Sequence, residues 1–245
     1  MTSGEDVRRR RAWPVVAVVA WAGFALTLSL SALGWYADST PEPGVYGETG
    51  DGAYGVLQRV TDTLSYFTIW SNVVVALAAT LLARGARGAT WQRVLLLDAL
   101  LMIVVTAIVY QLLLAPSIDV RGWSIITDPT QHVVVPVLAV AAWVWAGPRG
   151  WVSGRLVPLA LLVPVLWVGW MLLRGAVIGS YPYGFVAVGE RGYPAVLATI
   201  AMILAFGLVV AAVLWAVDTA LSRRTRARAR PDSAGGRDDS RSRPL

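Results

Sequence analysis

Cysteine and lysine are absent from the 245 residues, histidine occurs once, and only 15% of the chain is charged. Without cysteine there can be no disulfide, no thiolate nucleophile, no CxxC redox pair and no Cys-ligated metal. The single histidine, His132, excludes a bis-histidine haem within one chain and argues against a multi-histidine metal site. No metal, cofactor or nucleic-acid partner is expected. Apolar residues are in excess: 56% of the chain is hydrophobic, with twelve tryptophans and a mean hydropathy of +0.60. That is too apolar for a soluble domain of this length. Several runs of about 20 apolar residues point instead to an all-α polytopic membrane protein.

Six apolar stretches follow one another: Trp13–Trp35, Phe67–Ala83, Val94–Leu114, Val133–Ala146, Leu156–Leu173 and Ala195–Val217. Most meet the ~20 residues needed to cross ~30 Å of hydrocarbon. The fourth is short and reaches full length only by starting near Pro129. Tryptophans at span ends, such as Trp13, Trp35, Trp91, Trp145 and Trp151, read as interfacial belts. Arginine sets the orientation. Seventeen arginines fall before span one, between spans two and three, between four and five, and after six. The other side holds only Arg59, Arg121, Arg174 and Arg191. The positive-inside rule then predicts six spans in a plasma membrane with both termini cytoplasmic.

The first span is too long for a cleaved signal and lacks a clear A-x-A site, so a retained anchor is expected. Residues 1–12 read as a basic cytoplasmic start, 13–221 as a six-helix transmembrane domain, and 222–245 as a disordered Arg-rich tail. The longer loops, about 36–66, 115–132 and 174–194, lie on the outer side and carry most of the loop tyrosines. The mouth of any pocket is expected there.

Polar groups inside apolar spans need a partner or a task, and four places stand out. At the start of span two, Tyr66-Phe67-Thr68-Ile69-Trp70-Ser71-Asn72 puts Thr68 and Asn72 on one helix face. A threonine there is ordinarily a cap or a back-bonded hydroxyl; the other reading is a nucleophile. At the start of span four, Asp128-Pro129 reads as an N-cap with proline at the first helical position. His132 follows four residues later, where the carboxylate can orient its ring and the helix N-terminus favours neutral imidazole. The plainer reading is an interfacial histidine bonded to a backbone carbonyl. In span three, Thr106, Tyr110 and Gln111 offer either oxyanion donors or ties between helices.

Arg174, ending span five ahead of Tyr181-Pro182-Tyr183, can hold a carboxylate or phosphate headgroup, pair with Glu190, or snorkel to lipid. Asp98, near the inner end of span three, reads as a structural partner of Arg93. Topology adds one inference. Spans two and four both begin on the outer side, so Thr68 and His132 share a membrane depth. A hydroxyl and the only imidazole at one level can form a nucleophile–base pair.

These residues also carry a resemblance. The segment Tyr66 to Asn72, then Val105-Thr106-Ala107-Ile108-Val109-Tyr110-Gln111-Leu112-Leu113, His132-Val133-Val134-Val135-Pro136 and Tyr181-Pro182-Tyr183-Gly184-Phe185 occur in a distinctive order. Their order and placement resemble the androgen-induced-gene-like family of six-span membrane proteins, and the chain looks like a divergent bacterial member. The resemblance covers most of the chain from Tyr66 to Val217. Characterised animal members are threonine hydrolases that cleave fatty acid esters of hydroxy fatty acids. They use a threonine near the start of span two and a histidine near the start of span four.

The resemblance therefore implies Thr68 as nucleophile and His132 as general base. Asn72, Tyr110, Asp128 and Tyr183 are the candidate orienting or oxyanion residues, with Arg174 a candidate for the substrate headgroup. The chain departs from the bacterial pattern in carrying Ala141-Ala142-Trp143 where an aspartate is common, and in its long first outer loop.

Three function classes follow. A threonine-dependent hydrolase of lipid or fatty-acyl esters requires Thr68 and His132 within about 4 Å beside a lipid-accessible cavity. A non-catalytic lipid- or protein-binding membrane protein leaves them apart or otherwise bonded. A small transporter requires a continuous polar path, of which the spans show little.

Overall fold

The computed structural model describes residues 3–36, 43–47 and 49–228, and these are helical with no strand; the nearest approach to a sheet is one isolated bridge between Val45 and Tyr181. Among the described residues, seven helical segments longer than one turn organise the fold: α1 (Ser3–Leu33), α2 (Gly52–Thr63), α3 (Phe67–Ala83), α4 (Thr90–Leu114), α5 (Ser124–Ala146), α6 (Gly154–Ile178) and α7 (Val188–Arg228). Five of them are long and apolar enough to cross a membrane, and a sixth crossing results if α2 and α3, bent by 69°, count as one segment. A 30 Å hydrocarbon core needs about 20 helical residues, so the 17 residues of α3 alone fall just short.

Apart from the amphipathic α2, these helices are apolar on every side rather than on one stripe, which is the pattern of elements surrounded by lipid or by one another. Val18, Leu112 and Val177 accordingly stand two-thirds exposed or more. The central helix is α4. In its most apolar window 61% of residues are buried, against 28% in α6 and in α7. It packs against α3, α5, α6 and α7, while α1 lies on α3 and α5.

Successive long helices alternate in direction. At one end, which carries the longer loops, Ser31 meets Thr63 and the backbones of Gly44 and Tyr46 pair with Tyr181. At the other, Trp13 donates to the Ala146 carbonyl, Arg93 to the carbonyls of Gly150 and Trp151, and Asp218 accepts the N–H groups of Gly150 and Val152.

Four expectations change. The segment 36–66 contains the helix α2, although residues 37–42 and 48 lie outside the described part. Span four begins at Ser124, a full turn before Asp128, so Asp128 is inside the helix and is not its N-cap. The described start of the C-terminal tail, Ser222 to Arg228, continues α7 as helix; the remainder of the expected disordered tail, 229–245, lies outside the described residues. Finally, Arg93 is held by loop carbonyls and makes no ion pair with Asp98, which is buried with Oδ1 unpartnered.

Candidate active site

Thr68 sits in the first turn of α3 and is 8% exposed. Its Oγ1 lies 3.1 Å from Nε2 of His132. The other ring nitrogen, Nδ1, faces two acceptors on one residue: the Asp128 carboxylate Oδ1 at 3.1 Å and the Asp128 carbonyl at 3.0 Å. Two acceptors at Nδ1 place the proton there, and the Nε2 lone pair is then free to accept from the Thr68 hydroxyl. Tyr110 completes the chain. Its hydroxyl donates to Asp128 Oδ2 at 2.5 Å, and its ring stacks on the imidazole with centroids 3.6 Å apart and planes 11° from parallel.

The two stacked rings, Tyr110 and His132, both come from irregular turns. Tyr110 opens a π-helical turn, Tyr110–Leu114, at the end of α4, and His132 lies in a second one, Thr130–Val134, in α5. Wide turns of this kind are rare and recur at functional sites. The second has a clear origin. In a π turn each carbonyl bonds the N–H five residues ahead, as Val135 N–H does with Thr130 O. The next carbonyl, Gln131 O, looks to Pro136, which has no N–H.

Asn72 supplies the missing donor. Its Nδ2 reaches Gln131 O at 3.3 Å and Thr68 O at 2.8 Å. The expectation of Asn72 as an oxyanion donor is thereby corrected, because its amide hydrogens are committed to two carbonyls. It latches the threonine helix to the histidine helix instead. Gln131 strengthens the join by donating from its side chain to Thr27 on α1.

Tyr110, likewise considered for an oxyanion, is spent on Asp128, and Thr106 ties α4 to α3 through Ser71 at 2.9 Å. Tyr183 lies differently. It is buried in the loop between α6 and α7, and its phenol faces the Thr68 hydroxyl and the N–H groups of Phe67 and Thr68. Those two amides are the free donors of a helix N-terminus. Burial pushes the phenol up to about 12, so it remains a neutral O–H that can donate. Thr68, Tyr110 and Tyr183 together form the polar end of a narrow groove with a cavity volume of about 80 Å³. The rest of its lining is almost wholly apolar and comes from α4, α6 and α7, with Phe67 of α3 and Phe185 and Val186 of the loop before α7.

Arg174 is elsewhere. It pairs with Asp62 of α2 at 2.5 Å, its guanidinium carbon lies 4.7 Å over the Tyr46 ring, and it lines a separate cleft between α2, α6 and the 43–47 loop. The suggested pairing with Glu190 is therefore replaced by Asp62. A buried or half-buried guanidinium requires a carboxylate, and α2, absent from the sequence expectation, provides it.

The sequence also concealed the role of Trp167 and Trp170. Their indole N–H groups reach the carbonyl and hydroxyl of Ser65, at 2.9 and 3.0 Å, and so fix the chain entering α3. Their i,i+3 spacing on an apolar helix was the available signal. Gly175 is a further hidden requirement. A Cβ there would stand 2.0 Å from Tyr181, which brings the Tyr181–Tyr183 loop down onto α6. No known protein family, no characterised protein and no solved structure matches this chain.

Proposed function

We propose that this chain is a six-span membrane hydrolase of lipid or fatty-acyl esters with Thr68 as nucleophile, a member of the androgen-induced-gene-like family that its motifs resemble. The observation that carries the reading is the continuous chain Tyr110–Asp128–His132–Thr68, with the threonine hydroxyl 3.1 Å from Nε2 at the end of an apolar groove. A histidine that only knitted helices would need one partner; this one is oriented from Nδ1 and presents Nε2 to a hydroxyl. The arginine distribution supports an orientation with both termini inside and the site towards the outer side of the membrane.

In the reaction, an acyl ester reaches the groove from the surrounding lipid with its carbonyl at Thr68. His132 Nε2 takes the hydroxyl proton as Oγ1 attacks the carbonyl carbon. Asp128 stabilises the imidazolium that forms, and Tyr110 holds Asp128. The oxyanion accepts from the Tyr183 hydroxyl, whose own oxygen is supported by the N–H groups of Phe67 and Thr68. His132 returns the proton to the leaving alcohol. Water, deprotonated by the same histidine, then cleaves the acyl-threonine to release the acid.

The test is labelling of detergent-purified protein by a fluorophosphonate, with Thr68→Ala and His132→Ala as variants. The expected result is labelling of the wild type only, with all three proteins eluting alike on size exclusion. Equal labelling of Thr68→Ala, or a wild type that neither labels nor hydrolyses any acyl ester, overturns the assignment.

A further inference from the structure

We propose that the groove beside Thr68 is a chain-length ruler, floored by Gly207 and Leu101, for one unbranched acyl chain; this rests on the hydrolase reading above. The groove starts at the polar group formed by Thr68, Tyr110 and Tyr183 and continues between α4, α6 and α7. Its α4 wall extends from Leu114 to Leu101, and the part inward of Tyr110 covers nine residues, which at 1.5 Å per residue is ~13 Å, the length of about ten methylenes. The matching wall on α7 runs from Ile200 to Gly207, ~10 Å by the same rise. Its one further hydroxyl, that of Thr106, is already committed to Ser71. Nothing along the walls hydrogen-bonds a second polar group, which selects a hydrocarbon chain as occupant.

The far end is closed by small and tightly held residues. Leu101 and Met102 are 2% and 0% exposed. Gly207 is buried, and a Cβ built on it would meet only Leu101 Cδ1, at an ordinary contact distance of 3.9 Å. A larger side chain at 207 therefore has room to extend into the groove without displacing backbone, and it takes the space of the terminal methylenes. Truncating Leu101 does the reverse and deepens the groove.

The experiment is hydrolysis of p-nitrophenyl esters from butyryl to palmitoyl by purified full-length wild type, Gly207→Leu and Leu101→Ala, with Thr68→Ala as blank. Each protein's butyryl rate serves as its own internal reference. The wild-type profile is expected to peak at about ten carbons and fall beyond it. In Gly207→Leu the decanoyl-to-butyryl ratio is expected to fall by roughly tenfold, with the optimum three to four carbons shorter, because overfilling a packed site is costly. In Leu101→Ala the optimum moves to longer chains, a change that a damaged fold does not produce. Wild-type hydrolysis with unchanged profiles in both variants overturns the ruler and leaves the hydrolase standing. A wild type no more active than Thr68→Ala at every chain length overturns the hydrolase reading and the ruler with it.

Discussion

Replacing Asp128 by asparagine separates two tasks that a carboxylate beside a catalytic histidine can perform. One is to hold the imidazole tautomer; the other is to stabilise the imidazolium as the proton arrives. In triads where the carboxylate performs both, the amide swap costs about 10⁴ in kcat because the wrong nitrogen becomes protonated. Here the tautomer has a second support. Nδ1 also faces the Asp128 main-chain carbonyl at 3.0 Å, which the substitution leaves in place. What is lost is the charge.

For unit charges about 4 Å apart at an effective dielectric constant of 20, the Coulomb energy is ~4 kcal/mol. The Asp128 side chain is 20% exposed, so solvent reaches the pair, and about half of that is a reasonable retained value, ~2 kcal/mol. Asp128→Asn is thus expected to lower kcat about 30-fold with KM nearly unchanged, since the interaction strengthens only as the imidazolium forms. Ester hydrolysis under saturating substrate, with size exclusion as the check on folding, measures it. A loss under threefold refutes the charge role. A loss above about 10³ in a folded protein shows that the carboxylate alone holds the tautomer.

Three further outcomes follow from the same geometry. Tyr110→Phe keeps the ring stacked on His132 but removes a charge-assisted bond to Asp128, so kcat should fall about tenfold while the protein folds normally. Asn72→Ala leaves the buried Gln131 carbonyl without its donor, while the Thr68 carbonyl keeps Ser71 Oγ, and should cost about 1–3 kcal/mol, read as a lower melting temperature in detergent. Asn72→Asp, which restores the shape without the donors, should not recover it. Burial favours the neutral form of Tyr183 and raises its phenol from the ordinary 10 to about 12. Its contribution to stability is therefore complete below pH 10 and is lost as the pH rises from 10 to 12. The melting temperature of the wild type should drop more steeply across that window than that of Tyr183→Phe; equal slopes refute the assignment.

Much of the bundle was legible because length and apolarity decide it. The stretch Phe67–Ala83 is α3 to the residue, and the alternating directions of spans two and four put Thr68 and His132 at one level before any distance was known. The Asp128–His132 spacing likewise predicted a contact that exists at 3.1 Å. What failed to show has physical causes. The α2 helix contains Gly52 and Gly55 and is amphipathic, so neither propensity nor an apolar run announces it. The start of α5 lies earlier than the sequence suggests because proline ordinarily bounds a helix, whereas here Pro129 and Pro136 sit inside one, on either side of a wide turn. Nothing in the sequence distinguishes Tyr183 from the other orienting or oxyanion candidates, since its proximity to Thr68 depends on a loop folded against Gly175.

The polar cluster is hard to explain as scaffolding. Helices in lipid associate through close packing and modest hydrogen bonds, and valine or leucine serves that end without leaving polar groups to satisfy. Here an aspartate, a histidine and a tyrosine converge on one threonine, next to an asparagine whose Oδ1 is buried without a partner. Two prolines remove N–H donors from the same helix, and Asn72 must replace one of them. Each of these features is neutral or costly for stability. Asn72, Gln131 and Thr106 join helices outright, whereas Tyr110, Asp128 and His132 spend their bonds on orienting one nitrogen towards one hydroxyl. An arrangement that sacrifices packing to aim a proton acceptor fits a site that moves protons.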